Sequence, residues 1–167
     1  MDLINALFLK MIDFYSGDSK RIQHFTKVHS FSKLIAECER IDEETQFVLE
    51  SVALTHDIGI RPAEKEFGKC DGKIQEKIGP AHAEKMLTEL GYNRDVIERV
   101  CYLIAHHHTY KDIVGEDYQI LVEADFLVNL HEDNISKENI EKTIKNIFKT
   151  KTGTNLCKTM FISDLGE

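Results

Sequence analysis

Residues 47–59 read FVLESVALTHDIG, from Phe47 to Gly59. Phe47, Val48, Leu49, Val52, Ala53 and Leu54 recur at the three- and four-residue spacing of a helix face that packs into a core. That face ends in an imidazole beside a carboxylate, His56 and Asp57. Burying either group without a partner costs several kcal/mol. The rest of the chain has to supply the compensation.

Working outward, helical spacing recurs nearly everywhere and alternating, strand-like runs are scarce. Leu3, Leu7, Met11 and Phe14 predict a first helix that stops near Gly17. Asp18 or Ser19 caps a second, which runs through Ile22, Phe25, Val28, Phe31, Leu34 and Ile35. Asp42 and Thr45 open the third, which carries the quoted stretch. Residues 60–79, IRPAEKEFGKCDGKIQEKIG, read as a long polar connection with short helical turns, and long loops in compact domains are often functional. Pro80 starts the next helix, where its missing N–H does no harm, and Gly91 ends it. Asn93 caps another, with Val96, Ile97, Val100, Leu103 and Ile104 leading into His106, His107 and His108. Asp117 precedes YQILVEADFLVNL, Ser136 caps KENIEKTIKNIFK, and the tail from Thr150 carries little signal. The expectation is a single all-α domain over residues 1–167, a bundle of about six to eight helices. Its core spans about residues 20–130, with the first helix (1–16) and the helices of 136–167 as additions.

The chain has 167 residues, enough for one domain with a real core. Hydrophobic residues make up 42% and charged residues 30%, ordinary values for a soluble globular protein. A formal charge of −8 argues against a nucleic-acid polymer as partner, since that needs a basic surface. It leaves a phosphorylated substrate open, because a bound metal reverses the local field. Cys38, Cys70, Cys101 and Cys157 form no CxxC pair, which points to reduced thiols rather than a cysteine zinc site. No stretch approaches the length of a membrane span, and a cytoplasmic location is expected.

The histidines stand out. Most of the eight fall on or at the end of a helix that also carries a core-facing stripe. His24 borders the buried face of the second helix, His56 and Asp57 end the third, and His82 lies one turn before Met86. His107 follows Ile104 by three residues, which turns it inward, and Asp125 is flanked by apolar residues. Singly, each has an ordinary structural explanation, and a histidine run also suits a helix C-terminus. Together they need a common one, and a helix bundle whose inward groups ligate a metal supplies it. Imidazoles and carboxylates suit Mn, Fe, Co, Ni or Zn.

The ordered set resembles the HD-domain metal-dependent phosphohydrolases, over roughly residues 20–130. The family pattern is a His on an early helix, an adjacent His-Asp and a later Asp, on an all-helical fold. RIQHFTKV (Arg21 to Val28) fits the early Arg-x-x-His-x-x-x-Val segment with His24 as ligand, and His29 is the competing choice. LTHDIG supplies His56 and Asp57, and EADFLVN supplies Asp125. A subset of the family has two further histidines and a two-metal centre bridged by the Asp of the pair. By that resemblance, one ion takes His24, His56, Asp57 and Asp125, and a second takes Asp57, His82 and His107, with His106 and His108 as alternatives to His107. The cyclic-dinucleotide branch carries a Gly-Tyr-Pro motif that HHHTYKDIVGEDY lacks. Where the family often has a Lys after His-Asp-Ile-Gly, Ile60 stands here, and Arg61 is the nearest cation for a substrate phosphate.

The resemblance implies hydrolysis of a phosphate ester or nucleotide by a metal-activated water. In that scheme Asp57 bridges the ions, Arg61 stabilises charge, and one of the triple, His106 in particular, donates a proton to the leaving group. Lys65, Lys69 and Lys73 are further cations on the same segment. A second branch of the fold holds two irons on a similar ligand set and uses O2 to cleave C–H or C–P bonds. A third reading is a non-catalytic metal-binding sensor or interaction domain. The apolar first helix either packs on the bundle or makes a homodimer contact.

Overall fold

The computed structural model describes residues 2–163, and among these it contains nine helices and no strand. The quoted stretch forms the most enclosed part of the fold. In α3 (Glu43–Thr55) every residue from Val48 to Thr55 is buried. A helix that is covered all round lies at the centre of its bundle. α1 (Leu3–Phe14), α2 (Ser19–Glu39), α6 (Arg94–Ile104) and α7 (Glu116–Glu132) all pack against it. α5 (Gly72–Leu90) lies along α6 and also meets α1 and α4 (Ile60–Phe67). α8 (Lys137–Ile147) and α9 (Lys151–Phe161) close the outer side of α7, with α9 reaching α2.

The starts of α2, α3 and α6 follow the expected capping chemistry. Asp18, Asp42 and Asn93 accept the backbone N–H three residues on, at 3.2, 3.0 and 2.9 Å. Each satisfies a donor the helix cannot pair internally. α1 packs on the bundle: Leu7, Met11 and Tyr15 are fully buried, while Leu9 and Ile12 face outward.

Two segments differ from the sequence reading, and they raise the helix count to nine. Residues 60–79 hold α4 and the first turns of α5 rather than a loop. The punctuation between them is short: Gly68 ends α4 with φ +70°, and Asp71 caps α5 by accepting from Ile74 N–H at 2.9 Å. Pro80 accordingly sits inside α5 and does not start it. The tail also forms a helix, because Thr150 caps α9 and the Glu123 carboxylate of α7 binds its entrance. Glu123 is fully buried and accepts from Lys149 N–H at 2.6 Å and Thr150 N–H at 2.9 Å.

α5 comes unusually close to the turn that follows α3. A Cβ on Gly59 would stand 3.0 Å from Gln75 O and Gly79 N. One on Gly79 would stand 2.6 Å from Ile104 Cγ2. Glycine at both positions lets α5 and α6 press against residues 56–59.

Candidate metal centre

Four elements deliver side chains to one place. α2 supplies His24, the end of α3 and its following turn supply His56 and Asp57, the turn after α6 supplies His107 and His108, and α7 supplies Asp125. His24 Nε2 lies 3.3 Å from His56 Nε2, 3.2 Å from Asp125 Oδ1 and 3.5 Å from Asp57 Oδ2. His56 Nε2 is 3.5 Å from Asp57 Oδ2 and 3.7 Å from Asp125 Oδ1. Asp57 turns its other oxygen, Oδ1, to His107 Nε2 at 3.6 Å. Its two oxygens therefore face two histidine groups, the disposition of a bridging carboxylate.

The far sides of the rings fix what the near sides present. His56 Nδ1 lies 2.9 Å from Ala53 O, and His107 Nδ1 lies 2.8 Å from Ile104 O. A carbonyl only accepts, so each Nδ1 carries the hydrogen. In the neutral ring Nε2 is then a bare lone pair. His24 Nδ1 meets Glu132 Oε2 at 3.0 Å, and Lys27 binds the other oxygen of Glu132 at 2.6 Å. Three Nε2 lone pairs and two carboxylates thus share one buried space. Such a space is stable only with positive charge inside it.

Electrostatics agree with that deduction. Burial would lower the His24 pKa, yet the carboxylates of Asp125, Asp57 and Glu132 outweigh it and raise it to about 9. Burial would raise Asp57, but the His56, His107 and His24 rings hold it far below the usual carboxylate range. Burial lowers His56. His107 is raised, because the Asp57 carboxylate 3.6 Å from its Nε2 outweighs the burial. Without a cation, the proton on His24 serves in its place. His107 Nε2 is buried and has no hydrogen-bond partner, an orphan that a ligand bond would satisfy.

Two groups of donor atoms are spaced to hold a metal ion: His24, His56 and Asp57, and separately Asp57, His107 and His108. Asp125 adjoins the first. His108 also meets Gln75 Oε1 at 3.0 Å through Nε2, and its backbone N–H donates to Glu76 at 3.1 Å. Tyr118 donates its hydroxyl to the carbonyls of His106 and Thr109, and Tyr15 donates to the Asp57 carbonyl at 2.7 Å. These bonds pin the two ligand-bearing turns.

Other expected residues lie elsewhere. His82 is on the same face of α5 as Gln75 but two turns further along, about 10 Å by helical rise. It lines a small hollow with Lys10, Phe14 and Met86. Because α5 begins at Gly72 and not at Pro80, its first turns reach the cluster and His82 overshoots it. His106 stacks on Tyr102 at 4.2 Å and bonds to Tyr102 O at 2.6 Å, outside the donor groups. Arg61 donates to the carbonyls of Phe14 and Ser16 and lies over the Tyr15 ring, tying α4 to the end of α1. His29 pairs with Glu50 at 2.9 Å, which leaves His24 as the α2 member of the cluster.

Glu132, Lys27, Gln75 and Glu76 were not singled out from the sequence. Glu132 had a usable signal, seven residues after Asp125 and so on the same face of α7. A cleft of about 450 Å³ opens beside the cluster, lined by Lys20, Arg21, His24, Asp57, Asn129 and Glu132 among others. No helix among the described residues is long and apolar enough to cross a membrane.

Comparison with known proteins found no matching family model, no matching curated protein and no matching solved structure.

Proposed function

We propose that this chain is a metal-dependent phosphohydrolase of the HD-domain kind, acting on a small phosphate ester or nucleotide in the cytoplasm. One observation supports the reading above the others. Three imidazoles whose Nδ1 atoms are already engaged turn their Nε2 atoms onto two carboxylates in a buried space. His24, His56, Asp57 and Asp125 would hold one divalent ion, and Asp57, His107 and His108 a second, chosen from Mn, Fe, Co, Ni and Zn. When bound, such ions supply Lewis acidity toward phosphoryl oxygens and a water of lowered pKa.

The chain's own residues do the rest. Glu132, held by Lys27, keeps the His24 ring turned with Nε2 inward. Asn129 donates to Asp125 Oδ1 at 2.9 Å and fixes that carboxylate. The cleft beside the cluster admits a substrate from the α2–α7 side, and the buried α3 end excludes water from behind. With Arg61 committed to α1 and His106 to Tyr102, neither supports the role that the sequence suggested. Asp57 keeps its role as the shared ligand.

The test is elemental mass spectrometry of protein purified without added metal or chelator, beside Asp57→Ala. The expected result is about two equivalents of a divalent transition metal, lost in the variant, with release of phosphate from a phosphoester panel. Two equivalents of iron together with O2 uptake would replace hydrolysis by oxygenation. Failure to bind any metal would overturn the site.

A further inference from the structure

Two cations line the cleft beside the cluster, Lys20 and Arg21, and two more, Lys27 and Arg61, pair with or follow lining residues; three of the four are already committed. Arg21 bonds Asp18 at 2.5 Å and Glu64 at 2.6 Å. Lys27 is bound to Glu132 at 2.6 Å. Arg61 is spent on the carbonyls that end α1. Lys20 also lines the cleft, is exposed, and makes no ion pair with any described residue. It precedes His24 by four residues on α2, so the two side chains share a face about 6 Å apart along the axis.

Two of the acids in the lining are already paired with other cations. Asp18 is neutralised by Arg21, and Glu132 by Lys27 and His24. Asp133 stands at the C-terminal end of α7 and lines the same cleft, with no ion pair to any other described residue. The cleft therefore runs from the donor cluster to one uncommitted ammonium and one uncommitted carboxylate.

Resting on the proposed metal-dependent hydrolysis, we propose that Lys20 is a specificity-determining residue that binds a second anionic group of the substrate. The substrate class is then a phosphate ester that carries another phosphoryl or carboxylate group about one helical turn from the scissile phosphorus. An ammonium is suited to this, because it meets such a group as a point charge without demanding bidentate geometry.

The experiment measures binding by calorimetry to the Mn2+-loaded full chain, with two probes, orthophosphate and the non-hydrolysable methylenediphosphonate. Elemental analysis after each titration confirms that the metal stays on the protein. The expected result is that Lys20→Ala weakens methylenediphosphonate about tenfold, as for loss of one charge-assisted hydrogen bond. Orthophosphate is unchanged, Lys20→Arg restores most of the loss, and Lys20→Glu deepens it. Lys20 is exposed, so all three variants should fold, with unchanged circular dichroism as the check. Equal affinity of wild type and Lys20→Ala for the diphosphonate would overturn the assignment, as would an equal loss for both probes. A wild-type chain that retains no metal would instead remove the hydrolase reading, and this inference with it.

Discussion

His24 is where protonation and the proposed metal would compete. Its pKa, raised to about 9 by the neighbouring carboxylates, sets the sign of the pH dependence of the metal-free protein. A histidine whose folded pKa lies above its ordinary value of 6.5 stabilises the fold fully below that value. The contribution fades as pH rises through 9. Metal-free protein should therefore lose denaturant stability between pH 6.5 and 9, while metal uptake releases protons and tightens over the same range. Urea titrations of chelated protein and calorimetry in buffers of different ionisation enthalpy measure the two effects. Glu132→Gln weakens the hold on His24 and should lower metal affinity 10- to 100-fold. His82→Ala should leave both metal content and affinity as they are.

Among elements, α5 carries the sharpest prediction. A Cβ on Gly79 would stand 2.6 Å from Ile104 Cγ2, and Ile104 lies three residues before His107. Gly79→Ala should cost about 1–3 kcal/mol through overpacking and loosen the second donor group more than the first. Thermal melts paired with metal stoichiometry test this. The same helix marks the limit of what the sequence made legible. α2, α3 and α6 were readable because cap and apolar stripe agree, and α1 and α7 from their apolar stripes alone. His24, the His-Asp pair, His107 and Asp125 followed from those stripes. The stretch 60–79 was not readable, because it has few large apolar residues and its three glycines, Gly68, Gly72 and Gly79, look like loop punctuation. Gly79 in fact marks a helix–turn contact that depends on tertiary packing. The family pattern named His82, while Gln75 and Glu76, which meet His108, sit on the part of α5 that reads as a loop. The α9 helix was hidden for a similar reason, since a buried carboxylate of α7 organises its entrance.

At the scale of the whole molecule, the N-terminal helix is more than an addition to a core beginning near residue 20. Tyr15 holds the carbonyl of Asp57, and Arg61 returns from α4 to the last carbonyls of α1. The ends of α1, α3 and α4 thus form one joint directly behind the shared carboxylate. The imidazoles, too, are anchored by the chain itself: His56 and His107 each bond a carbonyl three residues back, in the last turn of their own helices. These two rings are thus oriented by their own helix ends, and His24 by Glu132. On the proposed metal-dependent reading, folding and metallation would be separable events: the chain would reach its native form first and be loaded afterwards, and the ion in the centre would reflect which one is available at loading.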